Sequence, residues 1–194
     1  MKSGMRVLSP WRDWLLEPLS RDHLVQFYCD DQSLAVALST YVGAGLGKGE
    51  SAVLITVPDH ADAVRSRLYA DGFETADLER WGQLRVLDAR DVLDELLVAG
   101  QPDWDQFQVV SRTLIADARQ ASRNGRIRVY GEMVNLLWSR GQAEAALRLE
   151  AQWADTIAAS AVPCFCAYRM ELGSVPPASL CEAHTHVLPL EACA

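Results

Sequence analysis

Five short apolar runs, separated by amphipathic stretches long enough for crossover helices, constrain this chain more than any other feature. The runs are HLVQFY from His23, SAVLITV at residues 51–57, LRVL from Leu84, RIRVY from Arg126, and residues 164–172 after Pro163. Between them Leu34, Leu38, Tyr41 and Val42 fall at helical spacing. So do Ala61, Val64 and Leu68, and then Ala146, Leu149, Trp153 and Ile157. Strand and helix alternating with such connections predict an α/β fold with a mainly parallel sheet of about five strands and helices on both faces. The first, second and fourth runs are nearly continuous in apolar residues, as strands covered on both sides are. Residues 1–20 form a preface in which Trp11, Trp14, Leu15 and Leu16 share a face of a brief helix closed by Pro18. This segment is expected to pack on its own domain, residues 21–190.

Composition excludes several function classes. The 194 residues are 49% hydrophobic and 23% charged, which suits one well-buried globular domain. A formal net charge of -8 argues against direct nucleic-acid binding, because neutralising phosphates needs clustered Lys and Arg. No run approaches the ~18 apolar residues that span a bilayer. The N-terminus lacks the apolar core and small-residue cleavage site of a signal peptide, so a cytoplasmic location with no membrane role is expected. An odd number of cysteines, five, then points to free thiols.

The stretch RIRVYGEMVNLL, residues 126–137, carries the strongest hint of a site. Here a basic strand meets Gly131, expected to supply a sharp turn, and Glu132 opens a helix. A carboxylate at that junction is favoured by the helix dipole and lies where open α/β sheets place ligands. A helix-start glutamate that only caps is the competing reading. GAGLGKGE, residues 43–50, imitates a phosphate loop but fails as one. Val42 stands where the first glycine belongs, Gly49 follows Lys48 where Ser or Thr must bind magnesium, and the segment runs from helix to strand. The real strand-to-helix turn, Tyr28-Cys29-Asp30-Asp31-Gln32-Ser33, has two acids and no glycine, and would repel phosphate.

His23, His184 and His186, with Cys166 or Glu132, supply metal-ligating side chains. Their Cys-x-Cys and His-x-His spacings do not match the usual zinc patterns, so no metal or other cofactor is expected and a structural role is assigned to them. A Cys166–His184 nucleophile pair lacks a third orienting group at recognisable spacing.

Six pieces in order resemble one family. They are His23-x-x-x-Phe27-Tyr28, Gly45-Leu46-x-x-Gly49-Glu50, Arg128-x-x-Gly131-Glu132-Met133, Leu149-Glu150-x-x-Trp153, Cys166-x-Tyr168 and Leu180-Cys181-x-x-His184. Across about residues 21–188 the chain resembles the MEDS domain, the methanogen/methylotroph, DcmR-type sensory domain. That resemblance implies a RecA-like three-layer sandwich without the Walker A loop. It also implies a non-catalytic sensor of small molecules, including hydrocarbon derivatives. With no companion domain expected, the signal would pass to a partner protein such as a histidine-kinase-like protein or a transcription factor. The ligand is expected at the carboxyl ends of the strands, among Tyr28, Asp30, Glu132 and Tyr168, with His23 and Cys166 supporting the pocket from within. Glu132 would be the polar anchor, Tyr28 and Tyr168 the walls, and Arg128 would pair with Glu132 or Glu150. A ligand-free interaction module and a residual nucleotide binder or enzyme are the alternatives.

Overall fold

A computed structural model describes residues 10–189. In chain order the elements are α1 (Pro10–Leu16), β1 (His23–Tyr28), α2 (Asp31–Gly47), β2 (Ser51–Thr56), α3 (Pro58–Ala70), α4 (Thr75–Arg80) and β3 (Leu84–Asp88). They continue with α5 (Ala89–Leu96), β4 (Leu97–Val98), β5 (Gln101–Pro102), α6 (Trp104–Ala121), β6 (Ile127–Gly131), α7 (Met133–Ser139), α8 (Ala143–Ser160), β7 (Cys164–Arg169), α9 (Ala178–Glu182) and β8 (His186–Leu188). The main sheet is parallel, in the order β3-β2-β6-β7-β1-β8, and β4 and β5 form a separate two-residue hairpin.

The alternation read from the sequence therefore produces the α/β sandwich, with one strand more than expected. β8 adds to the outer side of β1, pairing Leu24 with His186 and Gln26 with Leu188. Its three residues are too few to show a period, and the sequence around His184 and His186 reads as a helix exit. Its pairing is decided by the free edge of β1.

Alternation along the strands divides the interior into two cores. Val25, Phe27, Val53, Ile55, Val129, Cys166 and Tyr168 face α5 to α8. Leu24, Tyr28, Leu54, Tyr130, Phe165 and Ala167 face α1 to α3. Side chains one residue apart on a strand point to opposite faces, and the parallel register of β1 with β7, Val25 opposite Cys166, keeps the faces in phase.

One glycine acts differently from its sequence reading. Gly131 is the last residue of β6 and does not adopt a positive φ, so it makes no sharp turn. A Cβ there would meet the Trp153 ring at 3.7 Å, an ordinary contact. Gly131→Ala is therefore expected to change stability by less than about 1 kcal/mol in a denaturant melt. The helix α2 runs to Gly47, within the glycine-rich segment 43–50, and Gly49 takes the left-handed turn at φ +79. Gly45 is needed for close approach, since a Cβ there would stand 2.6 Å from Arg128 Nε. Gly45→Ala should cost about 1–3 kcal/mol of stability, as overpacking of a filled interior does.

The buried guanidinium of Arg128 explains that approach. It lies on the α2 face of the sheet and meets Glu50 Oε2 at 2.6 Å. Nη1 donates to the carbonyls of Leu15 and Tyr41, both at 2.8 Å, and Nη2 donates to Leu16 O at 3.1 Å. Lys48 Nζ also donates to Leu16 O at 3.0 Å. The C-terminal carbonyls of α1, which have no helical partner of their own, are thus held by two cations. Leu15 is fully buried beneath them. The expected pairing of Arg128 with Glu132 or Glu150 is corrected to Glu50.

Cys164, Cys166 and Cys181 carry free thiols, whereas Cys29 is disulfide-bonded, which corrects the expectation that all the thiols are free. No helix among the described residues is long and apolar enough to cross a membrane.

Candidate functional site

The seven residues singled out from the sequence divide among four places. Tyr28 and Glu132 sit together at the carboxyl ends of the strands. His23, Cys166 and Tyr168 sit together on the opposite face of the sheet. Arg128 belongs to the α1 anchor, and Asp30 is exposed and caps α2 by accepting from the Ser33 N–H at 2.8 Å. Tyr28 and Tyr168 cannot be two walls of one pocket, because their strands direct them into different cores. The expectation that all seven line a single site is corrected accordingly.

The first cluster is built on Glu132. Although Glu132 occupies the cap position of α7, its side chain makes no cap bond there. It turns across to the end of β2, where Oε2 accepts from Thr56 Oγ1 at 2.6 Å and from the Val57 N–H at 3.1 Å. His60 Nδ1 stands 2.8 Å from Oε1, off line for a hydrogen bond, so this contact acts as an ion pair. His60 Nε2 lies 3.4 Å from Asp31 Oδ1, and Asp31 in turn meets Arg169. The Arg169 guanidinium lies over the Tyr28 ring, and Asn135 links the two strands by donating to Tyr28 OH at 3.4 Å and accepting from the Arg169 N–H at 3.0 Å. The result is a polar chain leading from a carboxylate that is 1% exposed to an exposed ion pair.

The Glu132 carboxylate raises the His60 pKa above its ordinary 6.5, against the opposing effect of burial, and Asp31 adds to the rise. A raised histidine stabilises the fold fully below the unfolded value of about 6.5 and loses that contribution as pH climbs through its folded value. The stability gap between the wild type and His60→Asn should therefore be widest near pH 5.5 and shrink towards pH 9, read from urea melts. Burial and the neighbouring Glu132 hold the Tyr28 hydroxyl neutral throughout this range.

The second cluster surrounds Glu150, whose side chain projects from α8 against β7 and is fully buried. Tyr168 OH donates to its Oε1 at 2.5 Å. His23 Nε2 stands 3.3 Å from Oε2, and His184 Nε2 stands 3.4 Å from Oε1. Cys166 Sγ lies 3.7 Å from Oε2 and 3.4 Å from His23 Nε2. Burial opposes ionisation of Glu150, but His184 and His23 outweigh it and hold the carboxyl well below its usual range. Burial likewise opposes an imidazolium at His23, yet the Cys166 sulfur and Glu150 carry that pKa up to about 10.

His60, Asp31, Asn135, Arg169 and Glu150 were missed as site residues. Signals existed for two of them. His60 precedes Val64 by four residues on the inward face of α3, and Glu150 follows Ala146 by four and precedes Trp153 by three on the inward face of α8. A titratable group inside an apolar stripe marks a buried polar contact.

Fold and geometry together define an α/β domain of the RecA type with acidic residues, not a phosphate loop, after its first strand. A KaiC-like protein from the hyperthermophilic archaeon Pyrococcus horikoshii OT3 superposes with a TM-score of 0.61 at 12% identity, covering 88% of this chain and 70% of that one. At that identity the likeness speaks for the fold alone. The model of the MEDS family, the MEthanogen/methylotroph, DcmR Sensory domain, matches residues 22–186, and the chain belongs to that family. Its role is thereby that of a signal-sensing domain. No curated protein matches the chain.

Proposed function

We propose that this domain is a non-catalytic sensor that reads a small organic molecule, of the hydrocarbon-derivative class, at the carboxyl ends of β1, β2, β6 and β7. Its signal passes to a partner protein in the cytoplasm. The observation that carries the reading is the chain Glu132–His60–Asp31–Arg169, in which a buried carboxylate is linked to the surface where open parallel sheets bind ligands. A ligand polar group that competes for His60 or Asp31 would redistribute charge along that chain and bias α3 and α7, which carry His60 and follow Glu132. The oxygens of Glu132 are held by groups of the protein itself, which favours sensing over proton abstraction.

The test is a thermal-shift screen with small alcohols, amines and halogenated hydrocarbons, followed by calorimetry on any hit. Glu132→Gln, which keeps an acceptor for Thr56 and Val57, should leave the unliganded melting temperature within a few degrees. It should weaken ligand binding at least about tenfold, or 1.4 kcal/mol. Equal affinity in the variant would remove Glu132 from the site.

A second reading, an interaction module that takes no ligand, draws on an apolar groove of about 350 Å³ lined by Trp11, Trp14, Phe27, Pro176, Val187 and Leu188. Under it no small molecule shifts the melting temperature, and Trp14→Ala weakens association with a partner while Glu132→Gln does not.

A further inference from the structure

We propose that His23, Glu150, Cys166 and His184 form a buried site for one divalent metal ion of the zinc class. The ligand atoms of these four residues all lie within 4.8 Å of one another. Bond lengths of about 2.0–2.3 Å to N, O and S require separations of about 3.3–3.7 Å along the edges of a tetrahedron. Three edges about Glu150 Oε2 fit: 3.3 Å from His23 Nε2 to Oε2, 3.4 Å from His23 Nε2 to Cys166 Sγ and 3.7 Å from Cys166 Sγ to Oε2. His184 Nε2 lies 3.4 Å from the other oxygen, Oε1, and closes on the other three on binding.

Both imidazoles are already oriented as ligands are. His23 Nδ1 faces Ala183 O at 3.1 Å and His184 Nδ1 faces Leu180 O at 2.7 Å, so both Nδ1 atoms carry the proton and both Nε2 atoms turn inward. A backbone carbonyl behind each ligating histidine is the usual outer support of such sites. Tyr168 supports Glu150 in the same way. His184 Nε2 is buried and makes no hydrogen bond, an orphan that a metal bond would satisfy.

A simple buried ion pair explains less. Glu150 already accepts from Tyr168, and one histidine would neutralise it. One imidazole would suffice for such a pair, whereas here a second imidazole and a thiol converge on the same carboxylate. Two imidazoles, one thiolate and one carboxylate favour zinc over magnesium or calcium, which prefer oxygen ligands. The Cys166 thiol releases its proton to solvent as the metal binds, and Cys⁻ with Glu⁻ then balances the divalent charge. Four protein donors leave no open position, as in structural and not catalytic zinc sites.

His184 is supplied by the segment joining α9 to β8. Thr185 in that segment accepts from the His23 N–H at 2.8 Å and donates to His23 O at 3.0 Å. The metal therefore fastens the β8 edge to β1 and β7, and its occupancy controls how firmly that edge is held. This site lies on the opposite face of the sheet from Glu132 and stands independently of the small-molecule reading.

The experiment uses the full chain, stripped with a chelator and titrated with zinc and, as a spectroscopic probe, with cobalt(II). Saturation at one metal per chain is expected, with tetrahedral d–d bands in the visible and a thiolate-to-cobalt band in the near ultraviolet. Zinc at a hundredfold its Kd should raise the melting temperature by roughly 5–10 °C. Cys166→Ser should lose the thiolate band, Cys181→Ser should keep it, and His184→Ala should weaken binding at least tenfold. No saturable uptake by the wild-type chain would overturn the proposal, whatever the variants do. So would a thiolate band that survives Cys166→Ser, which would place the metal on another cysteine.

Discussion

Arg128→Ala is expected to destabilise the protein by about 3–5 kcal/mol, the cost of leaving one partner of a buried ion pair alone. The guanidinium is fully buried and meets a Glu50 side chain that is only 3% exposed. Without it, Glu50 keeps the half-exposed Arg126 at 3.3 Å, a screened partner that cannot replace a buried one. The carbonyls of Leu15 and Tyr41 lose the guanidinium at the same time, while Leu16 O keeps Lys48. For a chain of this length the loss corresponds to a melting temperature lower by roughly 6–20 °C. Two further outcomes distinguish this mechanism from loss of side-chain volume. The anchor of α1 should loosen, so that amide exchange at residues 10–16 accelerates. The double variant Arg128→Met with Glu50→Leu should recover much of the loss, because removing both charges leaves no orphan. An unaltered α1 or an additive double variant would show that the ion pair does not hold this layer.

Glu132→Ala is expected to cost about 2–4 kcal/mol, and the contrast with Glu132→Gln separates structure from sensing. The alanine leaves Thr56 Oγ1 and the Val57 N–H without their acceptor at the buried junction of β2 and α3, and leaves His60 without its nearest carboxylate. The cost should appear in urea melts at neutral pH in the absence of any ligand, and should fall below about 1 kcal/mol for Glu132→Gln. A small loss in the alanine variant would mean that water replaces the carboxylate at little cost. Glu132 would then be free to serve a ligand directly. The alanine variant is expected to conflate folding with sensing, so glutamine is the informative change at this position.

The order of strands and helices is determined by the sequence alone. β1, β2 and β6 are nearly continuous apolar runs because both their faces are covered, and just after α3 and α7 Gly72 and Gly141 take left-handed backbone that favours glycine. The absence of a phosphate loop is equally local, since Val42, Gly49 and the acids after Tyr28 are read directly from the chain. Glu132 and Cys166 are legible as polar groups on buried strands or at their ends.

Their partners are another matter. Arg128 meets Glu50 across 78 residues of chain, Cys166 meets His23 across 143, and Thr56 meets Glu132 across 76. Nothing local specifies such pairs, and an acid on an amphipathic helix such as Glu150 resembles a solvated one until the face it lies on is packed. The tertiary structure alone decided that Tyr28 and Tyr168 lie on opposite faces, that β8 closes the sheet beside β1, and that His184 returns to His23. The physical reason is common to all three. Sheet parity and strand order determine which side chains share a core, and strand order depends on the packing of the whole chain.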